Sequence, residues 1–143
     1  MNKLLKLSKR LMLSSLAMLT YAGCVEAQTY LCIADMATGF WFNKSTKKWE
    51  TAEFDVAEEK YVLKGNNNKW TWIKIGEGFG ETCGKGFTDA GYFRCDGLSI
   101  IYMNRNNLRF QVTKPTGFPD SGDFGWDQGA ITPFIEIGKC AAM

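Results

Sequence analysis

Strand signals dominate this chain from residue 29 onward, and along a strand successive side chains alternate between the two faces. Short runs rich in aromatic and β-branched residues occupy 29–34, 40–42, 48–54, 60–64, 69–75, 92–95, 98–103, 108–113 and 132–137. Clusters of Asn, Gly, Asp and Lys separate them, which is the pattern of strands joined by turns. Gly65-Asn66-Asn67-Asn68 reads as a hairpin tip. Residues 76–86 and 114–129 read as the two long loops, and only Asp55-Val56-Ala57-Glu58-Glu59 hints at a turn of helix. Many short strands predict an all-β fold, a small sandwich or barrel.

The same alternation assigns faces. In Trp70-Thr71-Trp72-Ile73-Lys74-Ile75 the two tryptophans share a side with Lys74, and the isoleucines lie opposite. A charge at the end of the aromatic row predicts an isoleucine core, with Trp70 and Trp72 nearer solvent. Phe134 and Glu136 repeat this against Ile135 and Ile137, while Trp41 opposes Phe40 and Phe42, and Tyr102 opposes Ile101 and Met103. Trp41, Trp70, Trp72, Tyr102 and Phe134 are therefore the candidate binding residues. Rigid aromatics on an accessible face suit a protein interface or a sugar-stacking surface. The plainer expectation is that both sheet faces are covered and these residues simply pack.

Pieces of the chain also recur at a nearly constant offset. Tyr30-Leu31-Cys32 matches Phe93-Arg94-Cys95, ten residues from Phe42 align with ten from Met103, and Ile73-Lys74-Ile75-Gly76 matches Ile135-Glu136-Ile137-Gly138. The order is preserved, so two pseudo-symmetric repeats of about 60 residues are expected, at 29–83 and 92–140. Repeat equivalence favours Cys32–Cys83 with Cys95–Cys140; the nested pairing Cys32–Cys140 with Cys83–Cys95 is the alternative.

The first 27 residues read differently. Lys3, Lys6, Lys9 and Arg10 precede an apolar run over 11–22 that is too short for a mature membrane span. This predicts a signal peptide, residues 1–27, cleaved after Val25-Glu26-Ala27, and one β-rich domain over 28–143. Ala22-Gly23-Cys24 keeps a second reading open, in which Cys24 is lipidated and anchors the protein to the outer membrane. Either way the fifth cysteine is accounted for, and Cys32, Cys83, Cys95 and Cys140 form two disulfides in the periplasm or the extracellular space.

Composition narrows the chemistry. From Gln28 onward 13 Lys and Arg stand against 14 Asp and Glu, a net charge of −1. No basic stripe points to nucleic acid, and no later apolar run is long enough to cross a membrane. The chain has no histidine, which removes the usual general base and the commonest neutral metal ligand. With the mature cysteines in disulfides, thiol nucleophiles and thiolate zinc sites go too. Carboxylates are the acids and bases that remain, and no local motif marks a facing pair. Gly76-Glu77-Gly78-Phe79-Gly80 lacks the third glycine of a dinucleotide loop. Asp120, Asp123 and Asp127 have the composition of a calcium loop but also that of ordinary tight turns. Asn43-Lys44-Ser45 reads as a hairpin turn, and the charges of Thr46-Lys47-Lys48 and Glu58-Glu59-Lys60 as solvated. No cofactor, metal or catalytic residue is expected.

TYLCIADMATGFWFNKSTKKWE, YMNRNNLRFQ and TPFIEIGKC resemble segments of a group of short exported bacterial proteins, partly prophage-borne. That resemblance spans nearly all of the mature chain, implies a compartment and a size class, and transfers no functional residue. A looser similarity is to small periplasmic β-barrel inhibitors of lysozyme, which also begin near a Tyr-x-Cys strand and end on a cysteine; their Ser-Gly-Ser-Gly loop has no counterpart here. The expectation is an exported, non-enzymatic binding protein with a protein partner, an inhibitor or envelope-associated. The alternatives are a barrel-type carrier of a small molecule or sugar, and a carboxylate-dependent hydrolase.

Overall fold

The computed structural model describes residues 28–66, 69–119 and 129–143. The expected leader with Cys24, the hairpin tip at Asn67-Asn68, and the loop bearing Asp120, Asp123 and Asp127 lie outside the described residues. The described residues form nine strands: β1 (Gln28–Asn43), β2 (Lys48–Phe54), β3 (Lys60–Asn66), β4 (Lys69–Lys74), β5 (Glu81–Cys83), β6 (Tyr92–Asp96), β7 (Ile100–Asn104), β8 (Arg109–Lys114) and β9 (Phe134–Ala142). The described residues contain no helix, and none long and apolar enough to cross a membrane. The 55–59 stretch is a turn, closed by the Glu59 amide donating to the Val56 carbonyl at 2.9 Å.

β1 organises the sheet. The runs at 29–34 and 40–42 belong to one strand, because Asp35 to Gly39 passes through a bulge at Ala34/Met36 and does not turn. Gly39 allows this: a Cβ there would collide with the Pro133 carbonyl. One edge of β1 pairs with β9; the other pairs first with β3, over Gln28 to Ile33, and then with β2, over Ala37 to Asn43. All pairings are antiparallel, in the order β5-β4-β3-β1-β9-β8-β7-β6, with β2 attached to β1. The two end strands meet at the Cys83–Cys95 disulfide, which makes the sheet a nearly closed eight-stranded barrel.

The disulfides correct the pairing drawn from the repeats. Cys32 faces Cys140 directly across the β1/β9 ladder, with Cα atoms 3.9 Å apart, and Cys83 bonds Cys95. In the strand order β3 and β4 lie between Cys32 and Cys83. That is three strand spacings, roughly 14 Å along the sheet, beyond the reach of a disulfide. Both bonds therefore run between the matching segments. What those segments share is a turn. Asn43 to Lys48 and Asn104 to Arg109 each close a hairpin, with the first Asn side chain accepting an amide two residues on at 2.9 Å. A left-handed residue occupies the same place in each, Lys47 at φ 57° and Leu108 at φ 56°.

The face assignment is also corrected. Trp70 and Trp72 are core residues, 3% and 4% exposed, packed with Leu63, Phe93, Ile101, Met103, Phe110 and both disulfides inside the barrel. Ile75, Ile135 and Ile137 lie on the exterior. Indoles fit inside because Gly65, opposite Trp70, and Gly86 leave room for the ring. Lys74 and Glu136 do share the aromatic side, but the barrel holds them in a cavity. Tyr102 does face outward against inward Ile101 and Met103.

Candidate functional site

Inward positions at one end of the barrel bring titratable groups together. On β3 the inward phase carries Tyr61, on β4 it carries Trp72 and Lys74, and on β9 it carries Phe134 and Glu136. Tyr61 and Lys74 are direct cross-strand partners, and Glu136 sits between Ala37 of β1 and Val112 of β8, so the ladder itself sets their proximity. These side chains line a cavity of about 790 Å³, bounded at its rim by Phe54, Phe79 and Leu98.

A chain of polar contacts crosses its wall. Lys74 Nζ donates to Glu59 Oε1 at 2.6 Å. The Tyr61 hydroxyl lies 2.9 Å from Glu59 Oε2 and 3.2 Å from Glu136 Oε2. A phenol has one proton to give, so it serves one carboxylate at a time. Tyr61 therefore donates either to Glu59, which is paired with Lys74, or to Glu136. Burial pushes the Glu136 carboxyl above the usual range, and the charge on Glu59 adds to this against the opposing pull of Tyr61 and Lys74. Burial raises the Tyr61 phenol as well, helped by the two carboxylates beside it. Glu136 is 2% exposed, and among the described residues its other oxygen, Oε1, has no hydrogen-bond partner.

Glu81 borders the same cavity from β5. Its Oε1 accepts the Ser99 amide at 3.2 Å, and its Oε2 is buried and unpartnered against Gly97, where a Cβ would collide with it. Burial raises this carboxyl too, against the lowering effects of Ser99 and Lys114. The site thus holds two desolvated carboxyls, each with an oxygen lacking a partner.

The five aromatics named from sequence do not form one patch. Trp72 and Phe134 line the cavity. Trp70 sits among Tyr30, Phe87 and Phe93. Trp41, 42% exposed, pairs with Glu50 on the β1/β2 hairpin; alternation puts it on the face that carries cavity-lining Ala37 and Phe54, four pairs further out. Tyr102, 40% exposed, lies on the outer surface under the Arg94 guanidinium, 5.2 Å from its ring centre. Sequence reading passed over Glu59, Tyr61, Glu81 and Glu136. The available signal was a glutamate in the inward phase of a strand, which a sealed apolar core would not accept. Glu59, expected to be solvated, is tied to Lys74 and Tyr61.

Among the described residues no three His, Cys, Asp or Glu side chains converge closely enough to hold a metal ion. No protein-family model, curated protein or solved structure matches the chain. The two disulfides of the barrel point to an oxidising environment.

Proposed function

We propose that this protein is exported and acts by binding a small molecule in the open end of its barrel, without catalysing a reaction. One observation carries the reading: the buried, unpartnered Oε1 of Glu136 on the wall of a roughly 790 Å³ cavity. Desolvating a carboxyl oxygen without a partner is unfavourable, and a ligand offering a hydrogen-bond donor compensates that cost. The cavity volume falls in the range of small-molecule sites, and its mixture of aromatic walls with a few convergent polar groups suits that role. Export accords with the disulfides and with the leader expected at residues 1–27.

Binding of an envelope or foreign protein is the second reading. The observation that favours it is an exterior row formed by Tyr102, Gln111, Ile137 and Met36, which the register aligns across β7, β8, β9 and β1; three of the four are exposed apolar or aromatic side chains. Thermal shift and calorimetry of the disulfide-intact domain against sugars, amines, carboxylates and short peptides separate the two. The cavity reading expects a stoichiometric small ligand whose binding is weakened by Glu136→Gln and untouched by Tyr102→Ala. A panel without a binder, together with a tight protein partner lost on Tyr102→Ala, refutes it.

A further inference from the structure

On the cavity reading, the charges and rings of the lining select the class of molecule that enters. Asp55, Glu59, Glu77, Glu81 and Glu136 stand at the lining against Lys74 and Lys114. Of the two lysines, Lys74 is already committed to Glu59 at 2.6 Å. An anionic ligand meets repulsion there, and a neutral polyol meets mostly acceptors. The remaining wall is aromatic: Trp72 and Tyr61 stack with ring centres 4.7 Å apart, and Phe54 and Phe134 meet edge to face at 6.4 Å. Aromatic faces attract organic cations through the ring quadrupole, more strongly when water is excluded. A second observation is independent of the charge excess. Glu136 is almost fully buried, and its Oε1 has no partner among the described residues. The cavity far exceeds the space needed by a bare ion, and the absence of a converging three-ligand group among the described residues argues against a metal.

We propose that the cavity binds an organic ammonium ion, with its alkyl groups against Trp72, Tyr61 and Phe134 and its charge directed at Glu136. Glu81, across the same space, supplies a second acceptor through its unpartnered Oε2. The proton balance follows from the contacts. In the empty site the Tyr61 hydroxyl lies within donating distance of both Glu59 and Glu136, and burial favours the protonated form of Glu136. The arriving cation favours ionised Glu136, and a proton held there leaves to solvent. Glu59, Tyr61 and Lys74 face Glu136 within this network; Asp55, Glu77, Glu81 and Lys114 are the other charged groups around the cavity. Affinity for an ammonium ion accordingly rises with pH through the range in which Glu136 gives up its proton, whereas a neutral ligand shows no such rise.

The probes are tetramethylammonium and butylammonium chlorides, with butyrate and methyl glucoside as anionic and neutral counterparts. Binding is followed by calorimetry and by tryptophan fluorescence, on the full disulfide-bonded domain at pH 5 and pH 8. The expected result is saturable binding of an ammonium ion, stronger at pH 8, with at least a tenfold loss in Glu136→Gln and little binding of butyrate or the glucoside. Glu136→Gln is nearly isosteric; Glu81→Gln, checked for native circular dichroism, is the second variant and is expected to weaken the same probe. Binding of the glucoside or butyrate without the ammonium ions overturns the cation assignment and leaves the cavity reading standing. Equal ammonium affinity in the wild type and Glu136→Gln also overturns it. Failure of every small probe, in a domain shown to be folded, overturns both.

Discussion

Trp72 gives the sharpest test of which side of the sheet is inside. It is 4% exposed, stacks on Tyr61 at 4.7 Å and packs on Phe110 at 5.4 Å. Cutting a buried tryptophan back to alanine costs about 3–5 kcal/mol. One side of this indole borders an existing cavity, so the hole left by Trp72→Ala joins that space and does not become a sealed void. The expected loss is therefore at the lower end, about 3 kcal/mol. Trp41 is the matched control: 42% exposed on a projecting hairpin, its truncation should cost below about 1 kcal/mol. Urea unfolding followed by far-ultraviolet circular dichroism, with disulfides intact, measures both through midpoint and slope. If Trp72→Ala loses less than about 1 kcal/mol, or if Trp41→Ala is the costlier change, the inward placement of the tryptophans is refuted.

Glu136→Gln carries a pH signature. The folded-state carboxyl titrates above its unfolded value, so the native state binds the proton more tightly. Stability is greatest below the unfolded pKa and declines as pH rises toward the folded one. The variant should therefore be more stable than wild type near neutrality, with the gain vanishing toward pH 4; an equal difference at every pH refutes the assignment. The two disulfides span 108 and 12 residues. The chain-entropy model predicts that the Cys32→Ala/Cys140→Ala variant loses about 5 kcal/mol and the Cys83→Ala/Cys95→Ala variant about 3 kcal/mol, which thermal unfolding of the two can rank. Lys47→Gly should stabilise by about 0.5–1 kcal/mol by relieving a left-handed residue with an exposed side chain. Leu108→Gly should destabilise despite the same φ, because Leu108 packs against the core; denaturant midpoints of the pair decide it.

Much of the fold was legible because strand periodicity is local. Nine strand runs read from the sequence fall within the observed strands or within a residue or two of their ends, and the all-β class follows from them. β5 went unread because Glu81-Thr82-Cys83 is too short to show a period. The merging of two runs into β1 turned on whether Gly39 marked a turn or a close approach, and only the neighbouring Pro133 carbonyl decides that. The site failed for a related reason. A lysine or glutamate closing an aromatic row signals solvent if the other face is a sealed core. Here Lys74 and Glu136 point inward because Tyr61, set beside them by the sheet, and Glu59, at the end of the 55–59 turn, supply partners. Cysteine pairing depended on strand order, which no residue spacing encodes. The repeat had suggested that each half is closed by its own disulfide; each half does form a contiguous block of strands, but both disulfides lie at the seams between the blocks, β1/β9 and β5/β6.

The central position of β1 also sets an order of events during synthesis. Its β2 and β3 partners follow within a few dozen residues, but β9, which covers its other edge, comes about a hundred residues later. A chain elongating at roughly 5–20 residues per second leaves that edge bare for several seconds or more, an open template for pairing with other chains. Cys32 waits through the same interval with its thiol unmatched, while Cys83 and Cys95 both emerge before Cys140. Premature oxidation would join Cys32 to one of them and block closure of the barrel. Maturation of this small domain therefore favours a compartment that reshuffles mispaired cysteines, in addition to one that oxidises them.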